Sequence, residues 1–228
     1  MTQLFPARVR SVTPEADGLF DLQIDIAGTL AAGTHVHPGQ YALLGVSAHE
    51  PVPFAIASAP GALTFEFLIK EGTEVSEAIR KLHTGEVISV SRAHGQGFPL
   101  ELALGRSLLL FATGSGISAI RSTLLAISRR REEFGEVTLF FGVRTPTAFA
   151  YVDEHHEWEE ARIRIFRTVS RPGQSGWKGL SGYVQHHLEG IDLRDELAFL
   201  CGVPQMVQDV RRALSEKGIP PQNIFVNY

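Results

Sequence analysis

Residues 111–122, FATGSGISAIRS, carry an apolar run into a helical pattern through Gly114 and Gly116. The run before them, SLLLFA, is continuous, as suits a strand covered on both faces. After them Ile117, Ile120, Leu124 and Ile127 recur at helical spacing. A buried strand passing into a helix through glycines opens a strand–helix unit of a parallel sheet. Two readings of the glycines stand side by side. Either they make a tight turn, or they let an anion lie against the backbone, where the helix N–H groups and dipole favour a phosphate. The spacing is G-x-G-x-x-A, with Ala119 in the third place, and no Gly-Lys-Ser/Thr follows, so a P-loop is excluded.

The same alternation continues downstream. VTLFF, LAFLC and IFV are further short apolar runs. Beyond Cys201, Pro204 suits a helix's first turn, Met206, Val207, Val210 and Leu214 form a stripe, and Gly218 suits the cap. The first hundred residues follow a different rhythm. Leu22, Ile24 and Ile26 alternate with Asp21, Gln23 and Asp25; Leu63, Phe65, Phe67 and Ile69 alternate with polar residues. Period two predicts strands with one buried and one wet face, as in antiparallel sheets and barrels. One short helix is expected from about residue 76 to 82. The pattern predicts two units, residues 1–102 and 103–228, the second a doubly wound parallel sheet.

Composition narrows the class. The chain has 228 residues, 44% hydrophobic, with a formal net charge of −4 and no basic face for nucleic acid. One cysteine, Cys201, excludes an internal disulfide framework and a four-cysteine iron–sulfur cluster. No run approaches the roughly 20 apolar residues of a membrane helix, and the N-terminus lacks a signal stretch. The expectation is a soluble, cytoplasmic protein. His35 and His37, His155 and His156, and His186 and His187 show no metal-ligand spacing and read as surface or loop residues, so no metal is expected. No Gly-x-Ser-x-Gly elbow supports a hydrolase.

Seven segments together resemble the ferredoxin–NADP reductase superfamily, in the family's order: HPGQY, VPFAIASAP, EGTEVSEAI, AHGQGF, TGSGISAIRS, FFGVRTPTAFAYVDE and CGVPQM. The final FVNY resembles an aromatic terminus found in plant-type members. The resemblance implies an N-terminal antiparallel six-stranded β-barrel that binds flavin, followed by an α/β doubly wound parallel sheet that binds NAD(P). Two positions depart from it. Val52 stands where the family has an arginine for a flavin phosphate, and Ala55 where it has Ser or Thr near the flavin ring. Losing a charge-assisted hydrogen bond costs roughly 1.5–3 kcal/mol.

The resemblance assigns residues to sites. For flavin it implies Phe54 as an aromatic wall, Ala55, Ile56 and Ser58 on the same strand, and Ile69 and Lys70 ending the next. Lys70 reads equally as a solvated strand end. Gly72 and Ser76 would face the flavin phosphates, with Ser76 as N-cap of the short helix. The spacing Gly72 to Ser76 is one residue longer than the family's. For the nucleotide it implies Thr113, Gly114, Gly116 and Ile117 at the turn, with Gly202 and Met206 facing it. Arg144, Ser170 and Arg171 suit a 2′-phosphate, and hence NADPH over NADH. Cys201 would border the nicotinamide, and Tyr228 would stack on the flavin.

The implied function is a flavin-dependent oxidoreductase using FAD and NADP or NAD. A hydride passes from NAD(P)H to flavin, then electrons to an external acceptor: a protein, a quinone or a small molecule. The rival reading, raised by Val52 and Ala55, is a flavin-poor or non-catalytic nucleotide-binding subunit.

Overall fold

In the computed structural model, residues 2–46, 49–189, 191 and 193–227 are described. The first half is antiparallel. Its strands are β1 (Leu4–Ala16), β2 (Leu19–Asp25), β3 (Tyr41–Gly45), β4 (Val52–Ala55), β5 (Thr64–Lys70) and β6 (Val87–Ser91). They form one six-stranded sheet in the order β4-β3-β6-β1-β2-β5. The sheet curls until its edges meet: just past β4, the Ala57 N–H donates to the Glu66 carbonyl of β5 at 2.7 Å. Leu22, Ile24, Phe65, Phe67 and Ile69 point into the resulting core, as their period-two spacing requires. Helix α1 (Glu74–Arg80) follows β5.

The second half is parallel. Its strands are β7 (Leu108–Thr113), β8 (Val137–Val143), β9 (Ile163–Val169), β10 (Leu180–Ser181), β11 (Leu197–Cys201) and β12 (Ile224–Val226). Helices α2 (Ile117–Ser128), α3 (His155–Glu160) and α4 (Pro204–Glu216) lie between them. The order is β10-β9-β8-β7-β11-β12. Every pairing in this sheet is parallel. Strand β8 is buried at every position, which accounts for its unbroken apolar sequence. Both predicted helical stripes, on α2 and on α4, are buried.

Three expectations need correction. The short helix begins at Glu74, two residues earlier than predicted, because Thr73 rather than Ser76 is its N-cap. His35 and His155 are core residues, only 1% and 2% exposed. Burial lowers each imidazole to about 4, so both are neutral at physiological pH. His155 packs against Phe149 and Trp158, contacts that its neighbours along the chain do not announce. The third concerns the barrel's outer face. Asp21 alternates with apolar residues as a wet position would, yet it is 5% exposed, because the second half covers it.

Candidate nucleotide and flavin site

The strand order reverses between β7 and β11: chain connections run from β7 towards β8 and β9 on one side, then return to β11 on the other. In an open parallel sheet the crevice at such a reversal, beyond the carboxyl ends, is where ligands bind. Thr113 ends β7 and Cys201 ends β11, where Cys201 pairs with Ala112. Gly114, Ser115 and Gly116 form a single tight turn before α2.

The two glycines have different physical reasons. Gly114 takes φ +53° with open space beside it, a backbone conformation costly for other residues. Gly116 lies flat against the Cys201 carbonyl, where a Cβ has no room. Close packing therefore explains Gly116 without any ligand. Helix α2 nonetheless starts with no side-chain cap and no acidic residue in its first turn, so its N-terminal N–H groups and dipole are left for an anion. Gly202 is held by the same packing: a Cβ there collides with the Thr113 hydroxyl and the Met206 methyl. The Thr113 hydroxyl accepts the Val203 N–H at 3.2 Å. Met206 is buried in the first turn of α4, below Gly202.

Cys201 is half-buried. Burial pushes its thiol up to about 11, and the Asn227 amide, which donates to Sγ at 3.7 Å, pulls the other way. It is a neutral thiol at physiological pH, suited to shaping a site rather than to nucleophilic attack.

Arg144 follows β8, and Ser170 and Arg171 follow β9. The Arg171 N–H donates to the Arg144 carbonyl at 2.8 Å, which sets the two residues side by side. The Ser170 hydroxyl donates to the Val143 carbonyl at 3.4 Å. Both guanidinium groups are exposed, and neither forms an ion pair among the described residues. They are free cations at the carboxyl edge.

The barrel's contribution centres on β4. Phe54 is half-buried, packed on the barrel core from one side. Ile56, Ser58 and Ile69 are buried behind it, and Lys70 ends β5 exposed. The helix that carries the glycine turn is bonded to this strand: the Ser118 hydroxyl donates to the Ala55 carbonyl at 2.8 Å. Residues 54–58, 113–118 and 201–206 are thus brought together around α2.

Gly72 and Ser76 lie on either side of the Thr73 cap, at the start of α1. Ser76 is buried at the third position of α1, where its hydroxyl and backbone N–H close a reciprocal capping box with Thr73. Its polar groups are spent within the chain. The groove beside it, about 750 Å³, is lined by Glu74, Glu77 and Glu86 against Lys81, a poor setting for phosphate. Tyr228 lies outside the described residues.

Sequence reasoning missed Arg121. It donates to the Ala57 carbonyl at 3.1 Å, to Glu66 at 2.6 Å and to Glu154 at 2.7 Å, and it lies 4.5 Å from the Tyr151 ring centre. Burial works against its charge, but the Glu154 hydrogen bonds and Glu66 outweigh that and hold the guanidinium firmly protonated. A signal was present: Arg121 falls one turn after Ile117 and three before Leu124, a charge on the apolar stripe.

Comparison with known proteins agrees with this geometry. The family model for the oxidoreductase NAD-binding domain matches residues 110–212. Ferredoxin–NADP reductase B of Sorangium cellulosum (strain So ce56) is 34% identical over 189 residues, 76% of this chain and 75% of that protein. The chain belongs to the ferredoxin–NADP reductase superfamily. The fruit protein pKIWI502 of Actinidia deliciosa is 31% identical, covering 97% of this chain and 76% of its own. Among solved structures, a ferredoxin NADP+ reductase from Neisseria gonorrhoeae with bound FAD and NADP superposes with a TM-score of 0.84 at 22% identity, over 99% of this chain and 98% of that one. Membership makes this reductase-type chain an oxidoreductase of the class that uses FAD and NAD(P)H.

The residues present can be weighed against those cofactors. The uncapped N-terminus of α2 and the free Arg144 and Arg171 fit a dinucleotide. The half-buried Phe54 on β4 fits a flavin ring. For flavin phosphates the fit is thinner: Val52 is apolar and the α1 groove is acidic, which leaves the exposed Lys70 as the cation that β5 offers. No helix among the described residues is long and apolar enough to cross a membrane.

Proposed function

We propose that residues 103–228 hold NADPH and residues 1–102 hold flavin, so that a hydride passes between them and electrons leave to an acceptor outside these 228 residues. When bound, flavin supplies the chemistry of accepting two electrons as hydride and releasing them singly or in pairs. The chain's own residues orient and exclude. The turn Thr113–Gly114–Gly116, with Ile117 starting α2, offers the pyrophosphate site. Cys201 and Gly202 border the nicotinamide side without adding charge, since the thiol stays protonated. Phe54, with Ala55, Ile56 and Ser58, offers the ring wall, backed by Ile69. Tyr228 is assigned as the aromatic cover on the flavin.

The observation that carries this reading is the bond from Ser118 to Ala55. One helix bears the nucleotide turn and grips the flavin strand, so the two sites share one support. The unpaired Arg144 and Arg171, with Ser170 between strand ends, support the preference for NADPH. Arg171→Ala is expected to raise the NADPH concentration for half-maximal flavin reduction about tenfold and to leave NADH nearly unchanged; equal effects on both would remove the 2′-phosphate assignment.

The decisive measurement is the absorbance of the purified protein near 450 nm, followed without oxygen as NADPH or NADH is added. Bleaching by NADPH supports the reading. Bound flavin that neither nucleotide bleaches overturns it. The spent Ser76 and the acidic α1 groove favour a second reading, a nucleotide-binding subunit that holds flavin weakly. A colourless protein that binds NADPH and stays unbleached after added FAD would establish that reading instead.

A further inference from the structure

Helix α2 touches the barrel at two consecutive steps. Ser118 donates to the Ala55 carbonyl and Arg121, three residues on, donates to the Ala57 carbonyl. Residues i and i+3 of a helix lie on one face, and carbonyls i and i+2 of an extended chain point the same way. The matched spacing makes a seam between the helix that begins at the glycine turn and the segment that carries Phe54 to Ser58.

Arg121 does more than extend that seam. Its guanidinium also bonds Glu66 of β5 and Glu154 of the segment before α3. One side chain therefore joins strand β5 and the segment just past β4 to two segments of the parallel half. Tyr151, whose ring lies over the guanidinium, takes φ +58°, a left-handed conformation unusual for tyrosine. The backbone N–H of Tyr151 donates to the Glu15 carboxylate of β1, so this strained residue is also tied to the barrel. Strain of this kind persists where surrounding contacts over-determine the backbone. At the opposite end of the same helix turn, Gly116 packs flat on Cys201. A shift of α2 along the seam would move the Cys201 side of the crevice relative to Phe54.

Resting on the hydride-transfer reading above, we infer that Arg121 is the positioning residue of that step: it fixes how closely the nucleotide turn approaches the flavin strand. It meets the flavin segment only through the backbone carbonyl of Ala57 and none of the side chains assigned to either cofactor. Its effect is on distance, to which transfer between two bound partners is steeply sensitive.

The test compares flavin-loaded wild type with Arg121→Lys and Arg121→Gln, at a temperature where all are folded. Lysine keeps the charge but not the forked donor geometry, so it cannot bond Ala57, Glu66 and Glu154 together. In anaerobic stopped flow, the limiting rate of flavin reduction is expected to fall about tenfold to a hundredfold in Arg121→Gln and by less in Arg121→Lys. The NADPH concentration for half-maximal rate should stay within about threefold, since the nucleotide's own contacts are intact. Independently of turnover, amide hydrogen exchange over residues 55–58 and 117–121 is expected to quicken about tenfold or more in both variants. An unchanged limiting rate, a loss confined to NADPH affinity, or wild-type exchange over residues 55–58 each overturns the inference. If Arg121→Gln does not fold, Arg121→Lys and Glu154→Gln carry the same comparison. If wild-type flavin resists reduction by both nucleotides, the hydride-transfer reading fails, and the exchange data alone then decide whether Arg121 holds the seam.

Discussion

Asp21 carries a carboxyl oxygen that is buried without a hydrogen-bond partner. Burial first, then the neighbouring Glu66, raises its pKa from 3.8 to about 7, against the lowering pull of Gln23 and Arg121. The folded state thus binds a proton that the unfolded chain releases above pH 4. Stability from this group is complete below its unfolded value and is lost as pH rises towards 7, at most about 4 kcal/mol for a shift of this size. Asp21→Asn is expected to stabilise the protein by about 1–3 kcal/mol at pH 8 and to make little difference at pH 4, as read by thermal melts across that range. A variant that is destabilised equally at both values would contradict the assignment. Cys201 makes a second prediction at this scale. With its thiol raised to about 11, it should react with a thiol reagent far more slowly at pH 7.5 than free cysteine does. None of this was legible along the chain. Asp21 follows the same alternation as the solvent-facing Asp25, and only a covering surface tells the two apart.

The glycine turn and its helix show how an element can be read correctly and for an incomplete reason. The strand, turn and helix follow from local pattern, because apolar runs, glycines and a helical stripe each constrain the backbone directly. The division of labour between the glycines does not. Gly114→Ala meets open space and carries only the left-handed backbone penalty, about 1–2 kcal/mol. Gly116→Ala drives a methyl into the Cys201 carbonyl, so β11 must retreat and the crevice must change shape. Both glycines belong to the proposed pyrophosphate turn, so we expect both variants to weaken NADPH binding, Gly114→Ala the less, and Gly116→Ala to lose in addition about 1–3 kcal/mol of stability. Equal binding losses would mean that packing on β11 adds nothing to the turn itself. Helix α1 teaches the converse. Gly72 and Ser76 resemble a glycine–serine helix start at a spacing one residue longer than the family's, and Thr73 takes the cap while three glutamates line the groove. A spacing motif fixes where a helix can start, but the charges that surround it come from folding.

At the scale of the molecule, one apolar cluster spans both sheets, between the barrel's own core and a further cluster of the second half. Leu19, Ala57, Leu68, Phe98 and Leu100 of the first half pack with residues of the second, and Phe98 stacks on Phe199 of β11 at 4.7 Å between ring centres. The halves should therefore unfold together. Both tryptophans, Trp158 and Trp177, belong to the second half, so their fluorescence reports on it alone, while far-ultraviolet circular dichroism reports on both. Coincident denaturation curves are expected, and Phe98→Ala should destabilise both signals together by about 3–5 kcal/mol. Separate transitions would show that the shared core does not couple the halves. What the sequence determined by itself is local: period two in the first half, unbroken apolar runs and helical stripes in the second, and the glycine turn between strand and helix. Each is a property of a few neighbouring residues and needs no partner to be read. What the tertiary structure alone decided is which outward-facing polar residues meet. Arg121, Glu66 and Glu154 come from three separate segments; the apolar stripe of α2 marks Arg121 as out of place, but nothing local names its carboxylate partners until α2 closes against the barrel and removes the water between them.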